Sequence, residues 1–369
     1  MSTSSTSDPR DARAWKVLLS GYREPAEVRS ALELAVTALP LFGLWALAIA
    51  LLKAGHPLGL LFVVPAAGFL VRLFLIQHDC GHGSLFRSRA VNDWVGRVIG
   101  VITFTPYEYW RRTHAIHHAT SGNLDRRELG AVEMLTVAEY LALPRLRRWL
   151  YRLYRHPLVL FGLGPAYMFI LQHRAPIGLM RAGWWPWASV MGTNLSLAIL
   201  LTAGALAVGA APLLWVIGLT VTLAATAGVW LFYVQHQFER TRWSRRDEWD
   251  VHEAALHGSS YYDLPPVLRW FTANIGVHHV HHLNSRIPFY RMPQILRDHA
   301  ELESFGRMTL RESLACVPLV LWREESGELV SFRELKRMAR ALEGGRLGES
   351  RTPAPRANPP SRSLDAPVV

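Results

Sequence analysis

Four long apolar stretches constrain this chain of 369 residues more than any other feature. They cover residues 31–52, 57–76, 186–210 and 212–234. Each contains about 20 residues or more, and a helix of that length reaches roughly 30 Å, the thickness of a bilayer core. The stretches form two pairs, and only a few residues separate the members of a pair. Each pair therefore predicts a transmembrane hairpin, and four such segments argue against a helical bundle buried inside a soluble protein.

The charge of the chain agrees with a membrane protein. The net charge is +11, and it comes almost entirely from arginine, because Lys16, Lys53 and Lys336 are the only lysines. A basic chain either binds nucleic acid or follows the positive-inside bias of membrane proteins, and the apolar stretches favour the second. We therefore expect a lipid bilayer as a partner and no nucleic acid. Cys80 and Cys316 are too few for a disulfide framework and indicate a reducing compartment.

The segment between the two hairpins contains elements that do not reach spanning length. Residues 94–104 and 157–171 are apolar but short, so we expect them to be re-entrant or to lie in the membrane interface. Between them, residues 145–155 have apolar side chains at helical spacing, which predicts an amphipathic helix on the cytoplasmic leaflet. Its basic residues are Arg145, Arg147, Arg148, Arg152 and Arg155.

The sequence divides into three regions. Residues 1–30 form a cytosolic N-terminal segment, residues 31–345 the membrane domain, and residues 346–369, rich in Pro, Arg and Ser, a disordered tail. Near the end of the domain, Ser331 and Glu334 have the spacing of a capping box, and Gly344 is the predicted end of that helix. We expect an all-α integral membrane protein with two hairpins, interfacial helices and a cytosolic helical cap.

Histidines in this chain are clustered rather than scattered. Residues i, i+3 and i+4 of a helix share one face, so each of three short segments presents histidines on one side. These residues are His78 and His82; His114, His117 and His118; and His278, His281 and His282. His279 points about 100° away from that face. We expect it to be a structural residue or to support a ligand.

Topology predicts that these segments converge. His78 directly follows the first hairpin and His236 the second, so both lie on the side where the chain begins, which the arginine-rich loops indicate is cytoplasmic. Eight or nine imidazoles exceed the four ligands of a structural zinc site, and two metals with open positions fit better. Spacing alone does not choose between iron and zinc, because imidazole suits both. A zinc protease would need an HExxH helix, and a metal transporter would carry its histidines within the spans.

The residues around these histidines resemble the membrane-bound fatty acid desaturase family, most closely its acyl-lipid Δ12 (ω6) type. The matching stretches are residues 78–84, with the sequence HDCGHGS, and residues 110–125, 233–239, 259–265 and 274–283. The similarity extends from about residue 30 to about residue 325. The histidine motifs within it are specific for the family.

This resemblance implies an oxidoreductase that uses O2 and two electrons to insert a cis double bond into a fatty acyl chain. The catalytic centre would be a non-haem di-iron site, and the substrate an acyl lipid or an acyl thioester. The implied iron ligands are His78, His82, His114, His117, His118, His236, His278, His281 and His282. Because the chain has no haem-binding His-Pro-Gly-Gly segment, a separate electron donor is implied, and we expect a ferredoxin. The implied location is the bacterial inner membrane, with the active site on the cytoplasmic face.

Several residues are candidates for supporting this centre. Ligating imidazoles need acceptors for their second N–H, and Asp125, Glu239 and Asp263 are close in sequence, although each is as readily a solvated or capping carboxylate. Related structures carry a water-holding asparagine one turn before His236, where this chain has Phe232, so Asn274 is a candidate substitute. The tunnel for the acyl chain would be lined by residues such as Trp230, Phe232 and Phe238.

Two alternatives remain open from the sequence. A di-iron hydroxylase, ketolase or alkane monooxygenase would share the same histidine motifs. A non-catalytic metal-binding or transport protein is the more remote alternative. The arginines of residues 145–155 either steer an acidic electron donor or anchor the helix to anionic lipid.

Overall fold

The structure is a computed structural model that describes residues 11–127 and 132–349. It is mostly helical, which confirms the predicted fold class. The helices are α1 (Ala12–Leu19), α2 (Glu27–Lys53), α3 (Val63–His82), α4 (Arg89–Ile102), α5 (Tyr107–Thr120), α6 (Val137–Ala142), α7 (Arg145–Tyr154), α8 (Gly164–Ala166), α9 (Trp185–Val208), α10 (Ala210–His236), α11 (Val251–His257), α12 (Pro266–Phe271), α13 (His278–Leu283), α14 (Met292–Asp298), α15 (Leu310–Ser313) and α16 (Phe332–Glu349).

Among the described residues, four helices are long and apolar enough to cross a membrane. They are α2, α3 together with the 3₁₀ turn Pro57–Phe62, α9 and α10, in agreement with the four predicted spans. Gly209 alone separates α9 from α10, and its φ of +94° is a backbone conformation that favours glycine. The shorter apolar stretches do not span: α4 has 14 residues, and two π-helical turns, Val159–Leu163 and Tyr167–Leu171, flank α8.

The two charged residues of the first hairpin pair with each other. The Arg72 guanidinium forms an ion pair with the Glu33 carboxylate, and both side chains are buried. Arg72 also donates to the Thr37 hydroxyl and to the Trp270 carbonyl. Because a charge buried at membrane depth is costly unless it is paired, this cluster joins α2 to α3 and both to α12.

Helix α3 is the centre of the bundle. It packs against α2, α4, α5 and α10, and its buried apolar side chains, such as Leu73 and Ile76, belong to the main core. Both α3 and α10 are longer than the predicted spans at their C-terminal ends, where they reach His82 and His236. The two helix ends therefore carry histidines into the region beyond the spans, which we call the cap.

Two small sheets organise the cap. In the first, β1 (Leu135–Thr136) pairs in parallel with β4 (Leu321–Arg323), which pairs antiparallel with β5 (Glu328–Val330). In the second, β2 (Tyr261–Asp263) pairs in parallel with β3 (Arg307–Thr309). Tyr262 also donates its backbone N–H to the carbonyl of Gly276, so the second sheet fixes the chain just before α13.

The C-terminal helix differs from its prediction at one end. Its capping box is present, because Glu334 donates its backbone N–H to the Ser331 hydroxyl and accepts from the Ser331 backbone in return. The helix does not end at Gly344 but continues to Glu349, since a glycine inside a helix costs only about 1 kcal/mol relative to alanine. Residues 1–10 of the predicted N-terminal segment and residues 350–369 of the predicted tail lie outside the described residues.

Candidate metal centre

Four helices carry the nine candidate histidines to one place in the cap. The last turns of α3 hold His78 and His82, and the chain leaves that helix through Gly83, whose φ of +69° is left-handed. The second half of α5, the last residue of α10 and the short helix α13 supply the others. The structure therefore brings the histidine-bearing segments together on one side of the membrane, as the topology predicted.

The nine histidines form two groups, within each of which the candidate ligand nitrogens lie within 4.8 Å of one another. The five-histidine group consists of His78, His82, His114, His118 and His281. The four-histidine group consists of His117, His236, His278 and His282. Helices α5 and α13 each contribute to both groups. The histidines of α5 and those of α13, which were predicted to share one helix face, are thus divided between two neighbouring sites, whereas His78 and His82 of α3 stay together.

The nitrogen spacing within each group is that of ligands around a common cation. Nε2–Nε2 distances are 3.1 Å for His82–His114, His114–His118, His118–His281 and His278–His282, and 3.0 Å for His117–His236 and His236–His278. A metal–imidazole bond is roughly 2.0–2.1 Å long, so two ligands at right angles stand about 3 Å apart. Each ring nitrogen of a neutral imidazole either donates or accepts, so an Nε2 that faces two others, such as that of His114 or His236, cannot do both, and mutual hydrogen bonding is a poor alternative. The donor set therefore fits two metal ions.

Electrostatics keep these imidazoles neutral. The pKa values of six of them lie well below the ordinary histidine value, first because burial disfavours the imidazolium and then because neighbouring imidazoles would repel it. The six are His114, His117, His118, His278, His281 and His282. Only a neutral imidazole has the lone pair that a metal binds, so the site is prepared for a metal at neutral pH.

His279 belongs to neither group. Its side chain is fully buried, and its ring lies 6.1 Å from the ring of Tyr261 and 6.4 Å from that of Phe305. Burial lowers the pKa of His279 to about 4, so this residue is also neutral. Its direction away from the two groups agrees with the helical spacing of α13.

The carboxylates that were expected to support the histidines lie elsewhere. Both oxygens of Asp125 are occupied by Arg245 and by the backbone N–H of Arg246, at 2.6 and 2.8 Å. Asp263 forms ion pairs with Arg269 and Arg307, at 2.7 and 2.6 Å. These acids lie close to histidines along the chain, but in the structure they turn towards arginines.

Glu239 and Asn274 make no direct contact with the histidine groups. Glu239 is exposed beyond the end of α10. Asn274 has a φ of +55° and donates its side-chain amide to the carbonyl of Phe289 at 3.2 Å. Among the hydrogen bonds of the described residues, none joins either side chain directly to a histidine of the two groups.

The carboxylate that does reach a histidine was missed from the sequence. Oδ1 of Asp79 lies 3.3 Å from Nδ1 of His78, and its Oδ2 accepts the backbone N–H of Phe289 at 2.8 Å. Neighbouring residues on a helix usually point in different directions, so the pair was not considered. A usable signal was present, because Asp79 is the only acidic residue of the apolar helix α3.

A cavity of about 1120 Å³ adjoins the histidines. Its polar wall includes His117, His236 and His278, and much of the remainder is apolar surface of α3, α10 and residues 159–169. Of the three predicted tunnel residues only Phe232 lines it. Trp230 points towards Tyr262, to whose hydroxyl it donates at 3.2 Å, and Phe238 is buried in the core. Of these three aromatic residues, Phe232 thus lines the cavity, whereas Trp230 and Phe238 pack in the surrounding structure.

A comparison with known families decides what kind of protein carries this site. The model of the fatty acid desaturase family matches residues 54–312, a segment that contains all nine histidines. A fatty acid desaturase of Bacillus subtilis (strain 168) is 40% identical over 325 residues, which are 88% of this chain and 92% of the relative. The chain belongs to the fatty acid desaturase family. The desaturase is accordingly a membrane protein and an oxidoreductase.

More distant relatives have more specific names. An sn-1 acyl-lipid omega-3 desaturase (ferredoxin) of Synechocystis sp. is 28% identical to this desaturase over 230 residues, 60% of this chain and 61% of the relative. An sn-1 oleoyl-lipid 12-desaturase of the same organism is 27% identical over 242 residues, 60% of this chain and 63% of the relative. The chain therefore spans less than two thirds of each of these two proteins.

The predicted amphipathic helix of the desaturase is α7, but one of its five arginines is not on the surface. Leu146 and Trp149 are 67% and 58% exposed, as expected for a helix that meets lipid. Arg155, in contrast, is buried and donates to the carbonyls of Glu133 and Leu319 and to Oε1 of Gln237. The sequence pattern could not distinguish it, because Arg155 caps the helix and turns inwards. Of the four preceding arginines, Arg145, Arg147 and Arg152 are exposed and Arg148 is half-buried.

Proposed function

We propose that this desaturase uses O2 and two external electrons to insert a cis double bond into the acyl chain of a membrane lipid, as a Δ12 (ω6) enzyme. The observation that carries the proposal is the contact between the apolar cavity and the four-histidine group. An acyl chain in this cavity would lie with its methylene groups beside His117 and His236. The oleoyl-lipid 12-desaturase of Synechocystis sp. supports the position of the double bond and the lipid carrier.

We further propose that the five-histidine and four-histidine groups each hold one iron ion. Bound iron would supply the activation of O2 that removal of hydrogen from an unactivated methylene pair requires. The chain's own part is to present nine neutral imidazoles and to keep the rest of the pocket dry. Phe232 contributes to both, because its ring covers the rings of His117 and His236 at 4.9 and 5.1 Å. An apolar wall at this point orients a hydrocarbon chain and excludes water.

The polar end of the cavity is suited to the head of the substrate. Arg126, Arg127 and Glu133 belong to its wall in the cap. Arg127 is already paired with Glu139, whereas Arg126 is exposed. We therefore place the ester and head group near these residues and the hydrocarbon tail between α3 and α10.

The charge distribution supports an active site on the cytoplasmic face of the bacterial inner membrane. The turns at the opposite end of the hairpins, residues 54–56 and Gly209, contain no arginine or lysine, and Lys53 is the one cation next to them. Arginine-rich segments such as α7 lie in the cap instead. The positive-inside bias therefore assigns the cap to the cytoplasm. An acidic ferredoxin is the proposed donor, supported by the name of the omega-3 relative.

The experiment that tests the activity is expression in a bacterium that makes saturated and monounsaturated chains only. With a ferredoxin and its reductase co-expressed, we expect a diunsaturated acyl chain in the membrane lipids, identified by mass spectrometry of derivatised fatty acids. A His117→Ala variant serves as the inactive control. Hydroxylated acyl chains would indicate a hydroxylase instead. Unchanged lipids with a fully iron-loaded protein would contradict the proposal.

Metal analysis tests the centre independently of activity. The purified protein should hold about two irons per chain, because the nine imidazoles form two donor sets. One tightly bound zinc ion without iron would contradict the di-iron assignment.

A further inference from the structure

Asp79 is a buried carboxylate that has no cationic side chain as its partner. Its side chain is 3% exposed, and among the ion pairs of the described residues it appears only beside the imidazole of His78. Arg72, on the same helix, is already paired with Glu33. Burying a carboxylate is costly unless positive charge and hydrogen bonds offset the loss of water. A cation in the adjacent histidine group would offset that cost, and among the described residues no arginine or lysine forms an ion pair with Asp79.

The two oxygens of Asp79 face two different N–H donors. Oδ2 accepts the backbone N–H of Phe289 at 2.8 Å, and Oδ1 lies 3.3 Å from Nδ1 of His78. A carboxylate only accepts, so this contact assigns the proton of His78 to Nδ1. The lone pair is then on Nε2, which leaves that nitrogen free to bind a metal in the five-histidine group.

Asp79 also joins two parts of the centre that are distant in sequence. Phe289 follows α13, so its hydrogen bond holds the segment after the third histidine motif against the end of α3. The rings of His78 and His281, contributed by these two parts, lie 4.5 Å apart. One side chain thus controls the direction of one histidine and the position of the element that carries another.

We propose that Asp79 is the counter-charge and positioning residue of the metal in the five-histidine group. The proposal rests on the proposed function, in which both histidine groups hold a metal. The four-histidine group has no equivalent: Nδ1 of His236 faces the Ser121 hydroxyl at 3.4 Å, and Nδ1 of His278 has no hydrogen bond among the described residues. A carboxylate behind a ligating imidazole increases its basicity and holds its orientation. The five-histidine group therefore binds its metal more tightly than the four-histidine group.

The decisive variant is Asp79→Asn. Asparagine has the same shape, but it offers one oxygen and one NH2 group to the two N–H donors. It can keep either the contact with His78 or the hydrogen bond with Phe289. Its NH2 group then faces the other N–H donor, with which it cannot form a hydrogen bond. Loss of such a partner weakens metal affinity by about 10–100-fold. Asp93→Asn is the matched control, because Asp93 accepts from Tyr107 and Arg111 and touches no histidine.

The readout is metal release rather than turnover. Purified protein is loaded with Fe²⁺ or Co²⁺ and challenged with a chelator, and the bound metal per chain is followed by elemental analysis and by the Co²⁺ absorption bands. In the wild-type protein and in Asp93→Asn we expect one metal to leave early and the second about 10–100-fold more slowly. In Asp79→Asn the slow phase should be lost while the early phase is unchanged, and added metal should restore full occupancy.

Two outcomes would overturn this proposal. In the first, Asp79→Asn releases both metals at the wild-type rates, which would show that the carboxylate does not act on the centre. In the second, the variant loses both metals together and cannot be reloaded, which would make Asp79 a residue of the fold only. A wild-type protein that binds fewer than two metals would refute the proposed function itself, and this result is distinguishable from the other two.

Discussion

The ring of Phe232 packs against the ring of His117 at a centroid distance of 4.9 Å. Phe232 lies one helical turn before His236 on α10, where the family resemblance led us to expect an asparagine that holds water. Phe232 therefore places a hydrocarbon surface in the cavity wall beside His117 and His236. The role of this apolar wall can be tested directly.

Replacement of Phe232 by asparagine should slow desaturation at least about tenfold, equivalent to about 1.4 kcal/mol, because a polar amide admits water to the cavity wall. The iron content should remain that of the wild-type protein, since Phe232 supplies no ligand. Turnover and bound iron are measured on the same preparation. Trp230→Phe is the control: it removes the hydrogen bond to Tyr262 and part of the ring that packs against Phe161, both outside the cavity lining, and should retain activity. Wild-type turnover in Phe232→Asn would contradict the assigned role.

His117→Ala and His279→Ala should behave differently although both histidines are buried. His117 belongs to the four-histidine group, so its loss should abolish desaturation while the protein stays in the membrane. His279 belongs to neither group, so His279→Ala should lower thermal stability by leaving a cavity but retain measurable activity and both metals. Lipid analysis and metal content distinguish the two variants. Equal and complete loss in both would show that the orientation of α13 is wrong.

Acid should destabilise the metal-free protein in a defined pH range. The six histidines with lowered pKa values stay neutral in the folded chain, whereas in the unfolded chain they take up protons near pH 6.5. Their contribution to stability is therefore present above about pH 6.5 and is lost as the pH falls below it.

Thermal unfolding of chelator-treated protein in detergent should show a falling midpoint between pH 7 and pH 5. Carboxylates act at lower pH: the hydrogen bond from Arg127 helps to lower the pKa of Glu139 to about 2, so its contribution is lost only below its ordinary value of 4.5. A midpoint that stays constant or rises between pH 7 and pH 5 would contradict the assignment. Saturating metal should shift the fall to lower pH, because protons then compete with a bound ion.

Arg155→Met should lower the stability of the fold, because Arg155 is buried and does not belong to the basic surface of α7. The substitution leaves the carbonyls of Glu133 and Leu319 and the side chain of Gln237 without their donor, at a cost of about 3 kcal/mol. Arg147→Ser is the control, because Arg147 is exposed and such substitutions usually change stability by less than about 0.5 kcal/mol. Equal unfolding midpoints for both variants would mean that the buried contacts of Arg155 contribute nothing.

The exposed part of α7 is a candidate docking surface for the electron donor. A protein with both Arg147→Ser and Arg148→Ser should need more ferredoxin for half-saturation at low salt, while maximal turnover and membrane content hold. At high salt the variant and the wild-type protein should converge. An unchanged half-saturation at low salt would assign these arginines to lipid anchoring and the docking surface to another part of the cap.

The sequence predicted the structure correctly where the length of a segment or its helical periodicity determines that structure. The length of the apolar stretches gave the four spans, and helical spacing placed His114, His117 and His118 on one side of α5. Glu33 and Arg72 are the charged residues within the apolar stretches 31–52 and 57–76. Their pairing, however, depends on how α2 and α3 pack, which no local pattern contains.

Side chains whose partners are far away along the chain could not be placed from the sequence. Asp125 and Asp263 lie near histidines in sequence, yet both turn to arginines, because the fold brings Arg245 to Asp125, and Arg269 and Arg307 to Asp263 at the end of β2. Arg155 continues an arginine-rich pattern but enters the core, since α10 and the segment before β4 offer it acceptors. The partition of the histidines into groups of five and four likewise follows from the approach of α13 to α5, a tertiary contact.

The division of the α5 and α13 histidines between the two groups has a consequence for biosynthesis. A nascent chain that has not yet reached residue 278 already contains four of the five histidines of the first group, but only His117 and His236 of the second. The first group can therefore begin to capture an ion while translation continues, whereas the second becomes a site only after the ribosome has passed residue 282. The order of residues along the chain thus sets the order in which the two groups become complete, and a product that ends between residues 240 and 277 would contain both hairpins but only six of the nine histidines.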